Sequence, residues 1–455
     1  MQREAILGES DPEIAAAMAG EARRQVEEIE LIPSENYTYP EVLAALGSVL
    51  TNKYAEGYPG RRYYGGQEYI DQIETLARQR ACMLFRAEHA NVQPLSGSPM
   101  NQAVYFGVLK PGDAVLAMDL SHGGHLTHGA PVSHMSKVFN FFRYKTNSDG
   151  SGAIDADALL RLAKEVRPKL LLCGHSSYPR NYDYRMFKSI ADEVGALTMA
   201  DVSHIGGLIA GGVLDNPLDA GFDIVTTTTH KTLRGPRGGL ILCRKRYARE
   251  IDSAVFPGLQ GGPHMNNIAG AAITFRRAAE PAFKDYSNRI LANARRLAES
   301  LSGAGIALVT GGTENHLLVI DVMTSFGIDG RTAQEALEHV GITSNKQVIP
   351  DDPLPPTRPS GLRVGTPAIT TRGMDEDDMI ELADLIVVVL RSGRGAPMSD
   401  IRTRVSNLSK RCPVPGYGWD RSPPEEDGVT EPPRFDVKFG GSARNVRLRR
   451  SASGY

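Results

Sequence analysis

The sequence predicts an α/β fold, with a large domain on a mostly parallel, mixed sheet followed by a smaller C-terminal α/β domain. Two observations carry that expectation. Short apolar or β-branched runs read as buried strands: DAVLAMDL (113–120), PKLLLCG (168–174), ALTMADV (196–202), DIVTTTTH (223–230) and GGLILCR (238–244). Between two pairs of them lie DADALLRLAKEVR (155–167) and YRMFKSIADEVG (184–195), whose apolar residues recur at helical spacing. Strands alternating with helices imply a parallel sheet, whose ligands sit beyond the carboxyl ends of the strands.

In chain order, residues 1–30 are rich in Ala, Glu and Arg and read as a helical arm. Residues 31–66 carry many Gly, Pro, Tyr and Asn and read as ordered loop with short helices. YIDQIETLARQRACMLF (69–85) is a helix by its spacing. After FPGLQGGPH, one long helical stretch, roughly 266–303, leads to the second domain. There HLLVIDV (316–322) reads as a strand, and MDEDDMIELADLIVVVLRSG (374–393) as a helix with acids in its first turn. Residues 421–455 are rich in Pro, Gly and charge and read as a disordered tail. The expected organisation is an arm (1–30), a large domain (31–279), a small domain (280–420) and the tail (421–455).

At 455 residues, 41% hydrophobic and 23% charged, the composition is that of a globular protein with a sizeable core. A net charge of -2 gives no reason to expect nucleic acid or a membrane surface as partner. The four cysteines form no CxxC pair, which argues for a reducing compartment and against a cysteine-built zinc site. The N-terminus lacks the apolar core of a signal peptide, and no segment approaches about 18 unbroken apolar residues. The expected location is the cytoplasm.

TTTTHKTLRGPRGG (226–239) ends a strand with a lysine. Desolvation or neighbouring positive charge can make such an amine nucleophilic, so Lys231, beside His230, is placed for a Schiff base; a surface lysine in a βα loop fits the segment equally well. QPLSGSPMNQAVY puts Ser96, Gly97, Ser98 and Asn101 at a helix start, where backbone N–H groups hold a phosphate or Ser simply caps the helix. MADVSHIGGL ends a strand with Asp201, three residues before His204. A buried carboxylate there either caps the next turn or meets a cation such as a pyridinium nitrogen. Phosphate cup, strand-end Asp and strand-end Lys together are what pyridoxal phosphate requires. In SHGGHLTHG, His122, His125 and His128 recur every third residue, but Gly123 and Gly124 disfavour the helix that would join them on a metal, so no metal is expected.

LIPSENYT, LTNKYAEGYPGRRYYGG, NVQPLSGSPMNQAVY, DLSHGGHLTHG, SSYPR, ADVSHIGGL, TTTTHKTLRGPRGG, FPGLQGGPH, ITSNK and GLRVGTPAITTRG resemble, in order over about residues 5–415, the serine hydroxymethyltransferase family. The resemblance implies a pyridoxal-phosphate transferase of fold type I, with tetrahydrofolate as co-substrate and serine and glycine as amino acids. It implies Lys231 as the Schiff-base lysine, Asp201 on the pyridine nitrogen, His125 on the ring face, and Ser176 and His204 at the ring hydroxyl. Gly97, Ser98 and Thr228 would hold the phosphate, joined by Gly261 and Gly262 from a partner subunit. Arg363 with Ser34 would grip the substrate carboxylate, in keeping with the guanidinium fork. Glu56 would be the acid–base group, with Tyr54 and Tyr64 beside it, all three from the neighbouring chain of a homodimer or tetramer, and His230 next to the lysine. Folate would draw on Glu56, Leu120, Gly124, His125, Leu126 and Asn345. An α-methylserine hydroxymethyltransferase, or a threonine aldolase or transaldolase, shares this scaffold. Two departures stand near the ring: Ser203 and Ser177 replace the family's usual Ala. The Ser203 hydroxyl is expected to bond only backbone rather than cofactor.

Overall fold

The computed structural model describes residues 2–147, 149–392 and 398–416. The expected tail, 421–455, lies outside the described residues. Seven strands form one sheet in the order His89–Asn91, Gly239–Cys243, Ile224–Thr228, Leu197–Asp201, Leu170–Gly174, Ala114–Met118 and Asn140–Tyr144. The last five of these run parallel, and Gly239–Cys243 is antiparallel to both of its neighbours.

Period-two alternation sends Leu171, Cys173, Ala200, Val225 and Leu242 to one cluster and Leu170, Leu172, Met199, Ile224 and Ile241 to another. Both faces are therefore covered, which is why these strands read as unbroken apolar runs. The helices expected near 69–85, 155–167 and 184–195 form as Glu68–Phe85, Ala156–Val166 and Tyr184–Val194. Asp155 caps the second by accepting the Ala158 N–H at 2.9 Å. Five parallel strands end at Met118, Tyr144, Gly174, Asp201 and Thr228, and the segments bearing Leu120, Gly124, His125, Leu126, Ser176, His204 and Lys231 follow this shared edge.

Three expectations need correction. The stretch 266–303 is two helices, Met265–Ala278 and Pro281–Gly303, because Pro281 has no N–H to continue a helix and opens the second instead. The first 30 residues end in a strand, Ile29–Glu30, paired parallel with Ile342–Thr343, after helices Gln2–Ser10 and Pro12–Glu27. The sheet also has two strands with no expected counterpart, His89–Asn91 and Asn140–Tyr144.

A second sheet is antiparallel: Leu317–Asp321, Gly361–Gly365 and Asn345–Gln347. Its Leu318, Ile320, Leu362 and Val364 share a core with Leu297 of Pro281–Gly303 and Leu385 of Glu376–Ser392. Among the described residues no helix is long and apolar enough to cross a membrane.

Candidate functional site

Lys231 follows strand Ile224–Thr228 and is half-buried. Burial pushes its pKa down to about 8; Arg363 and Arg237 push the same way, while Asp201 opposes them. Its carbonyl is tied by the Asn36 amide at 3.0 Å and the Arg234 N–H at 3.1 Å. The loop that carries the amine is thus held from behind. His230 beside it is half-buried, and burial lowers its pKa to about 3.

Asp201 ends the neighbouring strand, buried. Its Oδ2 accepts from Asn101 Nδ2 at 2.8 Å and lies 3.1 Å from His128 Nε2. The His125 N–H donates to His128 Nδ1 at 3.2 Å, so Nε2 is the nitrogen that carries the proton toward Asp201. Oδ1 accepts the Ser203 N–H at 3.1 Å and the Ser203 hydroxyl at 2.6 Å. Asp201 therefore caps its turn and also faces the site. Burial alone would raise its pKa, but the bonds from His128 and Ser203 outweigh it and hold the carboxyl well below the usual range. Ser203 does not bond only backbone as expected: a short loop brings its hydroxyl to the carboxylate two residues before it.

The residues expected to form a phosphate cup lie against the next strand, Ile224–Thr228. Helix Gly97–Val108 starts at Ser96, whose side chain makes no capping bond, so its first N–H groups are not occupied by that hydroxyl. A Cβ on Gly97 would lie 3.0 Å from Thr228 Cγ2, so the absence of a side chain lets the helix start approach the strand. Ser98 is exposed, while Thr228 donates through N to Ser203 Oγ at 3.2 Å.

The histidine run is not one helix. Leu120–His122 and Leu126–His128 are separate 3-10 turns, with Gly123 at φ 112° between them. His122 turns to Thr146 Oγ1 at 2.8 Å. His125 lies 2.8 Å from Thr127 Oγ1, and burial lowers its pKa to about 4. His125, His128 and Asp201 bring potential ligand atoms within 4.8 Å of one another. Leu120 and Leu126 are exposed beside Gly124, whose carbonyl accepts the Ser176 hydroxyl at 2.9 Å. Ser177 is buried, its N–H on the Gly123 carbonyl at 3.2 Å.

Arg363 comes from the second sheet. It donates through Nε to Asn345 Oδ1 at 3.1 Å and through Nη1 to the Ser176 carbonyl. Burial pushes its pKa down to about 10 against the opposing charge of Glu35, and among the described residues no carboxylate lies within ion-pair distance of it. Leu31 O accepts the Gly365 N–H at 2.7 Å, which runs the segment bearing Ser34 along the strand that bears Arg363. His204 Nδ1 lies 3.1 Å from His316 Nε2.

Tyr54, Glu56 and Tyr64 form a different group. Tyr54 and Tyr64 meet edge to face at 5.1 Å, and a Cβ on Gly261 would lie 3.4 Å from Glu56 Oε1. A Cβ on Gly262 would touch the Tyr54 ring at 3.4 Å. The charge on Glu56 raises the Tyr54 phenol. Tyr54 is 54% exposed. Among the described residues no hydrogen bond, ion pair or ring contact joins this group to Lys231, Asp201 or Arg363.

Sequence reasoning missed Asn101 and His128 as partners of Asp201, and His316 and His175 near His204. Separations of 100 and 73 residues leave no local pattern to find the first two. The residues present fit pyridoxal phosphate: a helix start without a side-chain cap, a buried ionised carboxylate and a desolvated amine lie at the strand ends, and a guanidinium without an ion-paired carboxylate among the described residues reaches them from the second sheet. The family model for serine hydroxymethyltransferase matches residues 7–386.

Proposed function

The chain therefore belongs to the serine hydroxymethyltransferase family, pyridoxal-phosphate enzymes of one-carbon transfer, and on that premise we propose that it interconverts L-serine and tetrahydrofolate with glycine and 5,10-methylenetetrahydrofolate. The observation that supports this most is that Asp201, at a strand end, and Arg363, from the second sheet, both act on the Lys231 amine, while among the described residues Arg363 has no carboxylate within ion-pair distance.

In this reading Lys231 holds pyridoxal phosphate covalently, and Asp201 keeps a proton on its ring nitrogen. Gly97, Ser98 and Thr228, with Gly261 and Gly262 of the partner subunit, hold its phosphate; His125, Ser176 and His204 hold the ring. Bound there, the cofactor supplies the electron sink for breaking the Cα–Cβ bond of serine. Arg363, with Ser34, fixes the amino-acid carboxylate and so decides which end of the substrate faces the ring. Glu56 of the partner subunit moves the proton at the hydroxymethyl oxygen, flanked by the partner's Tyr54 and Tyr64. His230 and Thr228 flank the lysine, while Leu120, Gly124, Leu126 and Asn345 line the folate side. The grouping of Tyr54, Glu56 and Tyr64 with Gly261 and Gly262, with no contact to Lys231 among the described residues, supports a homodimer with shared sites.

Purified protein supplied with pyridoxal phosphate is expected to show a visible absorption band that Lys231→Ala lacks. Incubation with serine, α-methylserine and threonine, each with and without tetrahydrofolate, then tests the substrate. Serine consumed only with tetrahydrofolate supports the proposal. Preferred turnover of α-methylserine, or cleavage of threonine without folate, reassigns it.

A further inference from the structure

The carboxylate of Asp201 meets four protein donors. The Ser203 N–H and hydroxyl reach Oδ1 at 3.1 and 2.6 Å, and Asn101 Nδ2 and His128 Nε2 reach Oδ2 at 2.8 and 3.1 Å. An ionised carboxylate offers about four lone-pair positions, so none is left over. A protonated ring nitrogen arriving here would be a fifth donor, and one of the four must give way.

Three are held from behind. The Asn101 amide oxygen accepts the Thr226 hydroxyl at 2.9 Å, and its nitrogen also reaches Thr127 Oγ1 at 2.9 Å. His128 is fixed through Nδ1 by the His125 N–H at 3.2 Å. The Ser203 N–H belongs to the main chain. The Ser203 hydroxyl alone turns on a single bond. Its oxygen accepts the Thr228 N–H at 3.2 Å, a bond that remains when the hydroxyl proton swings away.

We infer that Ser203 is a positioning residue whose hydroxyl fills the last acceptor position of Asp201 in the empty protein and yields it to the ring nitrogen of pyridoxal phosphate. The inference rests on the cofactor reading above. While the site is empty, the hydroxyl keeps a buried carboxylate fully bonded, which otherwise would carry a desolvation cost. On binding, that bond is exchanged rather than added, so the hydroxyl weakens cofactor affinity.

The test is equilibrium binding to cofactor-free protein, followed by absorbance or fluorescence. Ser203→Ala is expected to bind pyridoxal phosphate about tenfold tighter than the natural protein, the scale of one charge-assisted hydrogen bond. Ser203→Cys fills the space with a weak donor and is expected to shift the same way, which covers the case in which the alanine variant folds poorly. An analogue with carbon in place of the ring nitrogen is expected to bind all three proteins equally. Equal or weaker binding of pyridoxal phosphate by both variants overturns the inference and leaves the cofactor assignment standing. So does a gain that persists with the carbon analogue. Failure of every protein to bind pyridoxal phosphate removes the cofactor reading and this inference with it.

Discussion

Arg363 donates to Asn345 and to the Ser176 carbonyl, neither of which neutralises its charge. A desolvated guanidinium with no carboxylate at ion-pair distance among the described residues gains most from one that accepts two of its N–H groups. Arg363→Ala is therefore expected to weaken glycine, serine and threonine by a similar factor, about 2–4 kcal/mol each. Dissociation constants measured by spectral titration check this, and selective loss of one amino acid would contradict the carboxylate role. Behind Asp201, Asn101→Ala leaves the Thr226 hydroxyl and Asp201 Oδ2 each short of a partner inside the protein. The expected loss is about 2 kcal/mol of unfolding free energy, read from denaturant titration. Single residues differed in legibility for a physical reason. Lys231 and Asp201 stood out because a charged group at the end of an apolar strand must have a use or a partner. Asn101 and His128 were singled out for other roles, and their pairing with Asp201 stayed hidden because only the folded sheet brings them to residue 201.

At the scale of elements, the sheet was readable where burial on both faces forces apolar composition, which holds for the five runs from 113 to 244. His89–Asn91 is only three residues long, and Asn140–Tyr144 is an edge strand with its first residue exposed, so neither has that signature. The break at Pro281 was written in the sequence, but the apolar periodicity on both sides masked it. Helix Gly97–Val108 packs its first turn on the strand end at Thr228. A branched side chain at 97 must push the helix start away from Thr228, since even a Cβ would sit at 3.0 Å from its methyl. Gly97→Val is expected to weaken pyridoxal phosphate at least tenfold, the scale of one lost charge-assisted bond from a helix N-terminus. Pyridoxal, which lacks the phosphate, should lose far less in the same titration. Equal losses for both would show that the displaced helix start is not the phosphate seat.

For the whole molecule, the buried imidazoles set how stability depends on pH. His175, His204 and His316 are 3%, 2% and 0% exposed, and burial lowers the pKa of each, that of His175 to about 3. Unfolded, each takes a proton near pH 6.5. Between that pH and its folded value the unfolded chain binds the extra proton, so stability is present above about 6.5 and falls as the pH drops. The slope is about 1.4 kcal/mol per pH unit for each such group. Glu30 runs the other way: burial and the charge of Glu35 raise it to about 8, so its contribution is lost as pH rises from the ordinary carboxylate range to 8. His175 allows the histidine effect to be isolated. Among the described residues both of its ring nitrogens lack a hydrogen-bond partner, and its ring stacks on Tyr182 at 5.7 Å. The charges acting on it are Asp201, Lys231, His128 and Arg363. Phenylalanine keeps an aromatic ring beside Tyr182, though a larger one, and removes both nitrogens and the proton site. His175→Phe is thus expected to match or exceed natural stability at pH 7 and to flatten the decline between pH 6.5 and 5 by about 1.4 kcal/mol per unit. Urea unfolding of cofactor-free protein at pH 7 and pH 5 measures both numbers, and an unchanged difference between the two pH values would mean that His175 already carries a proton in the folded core.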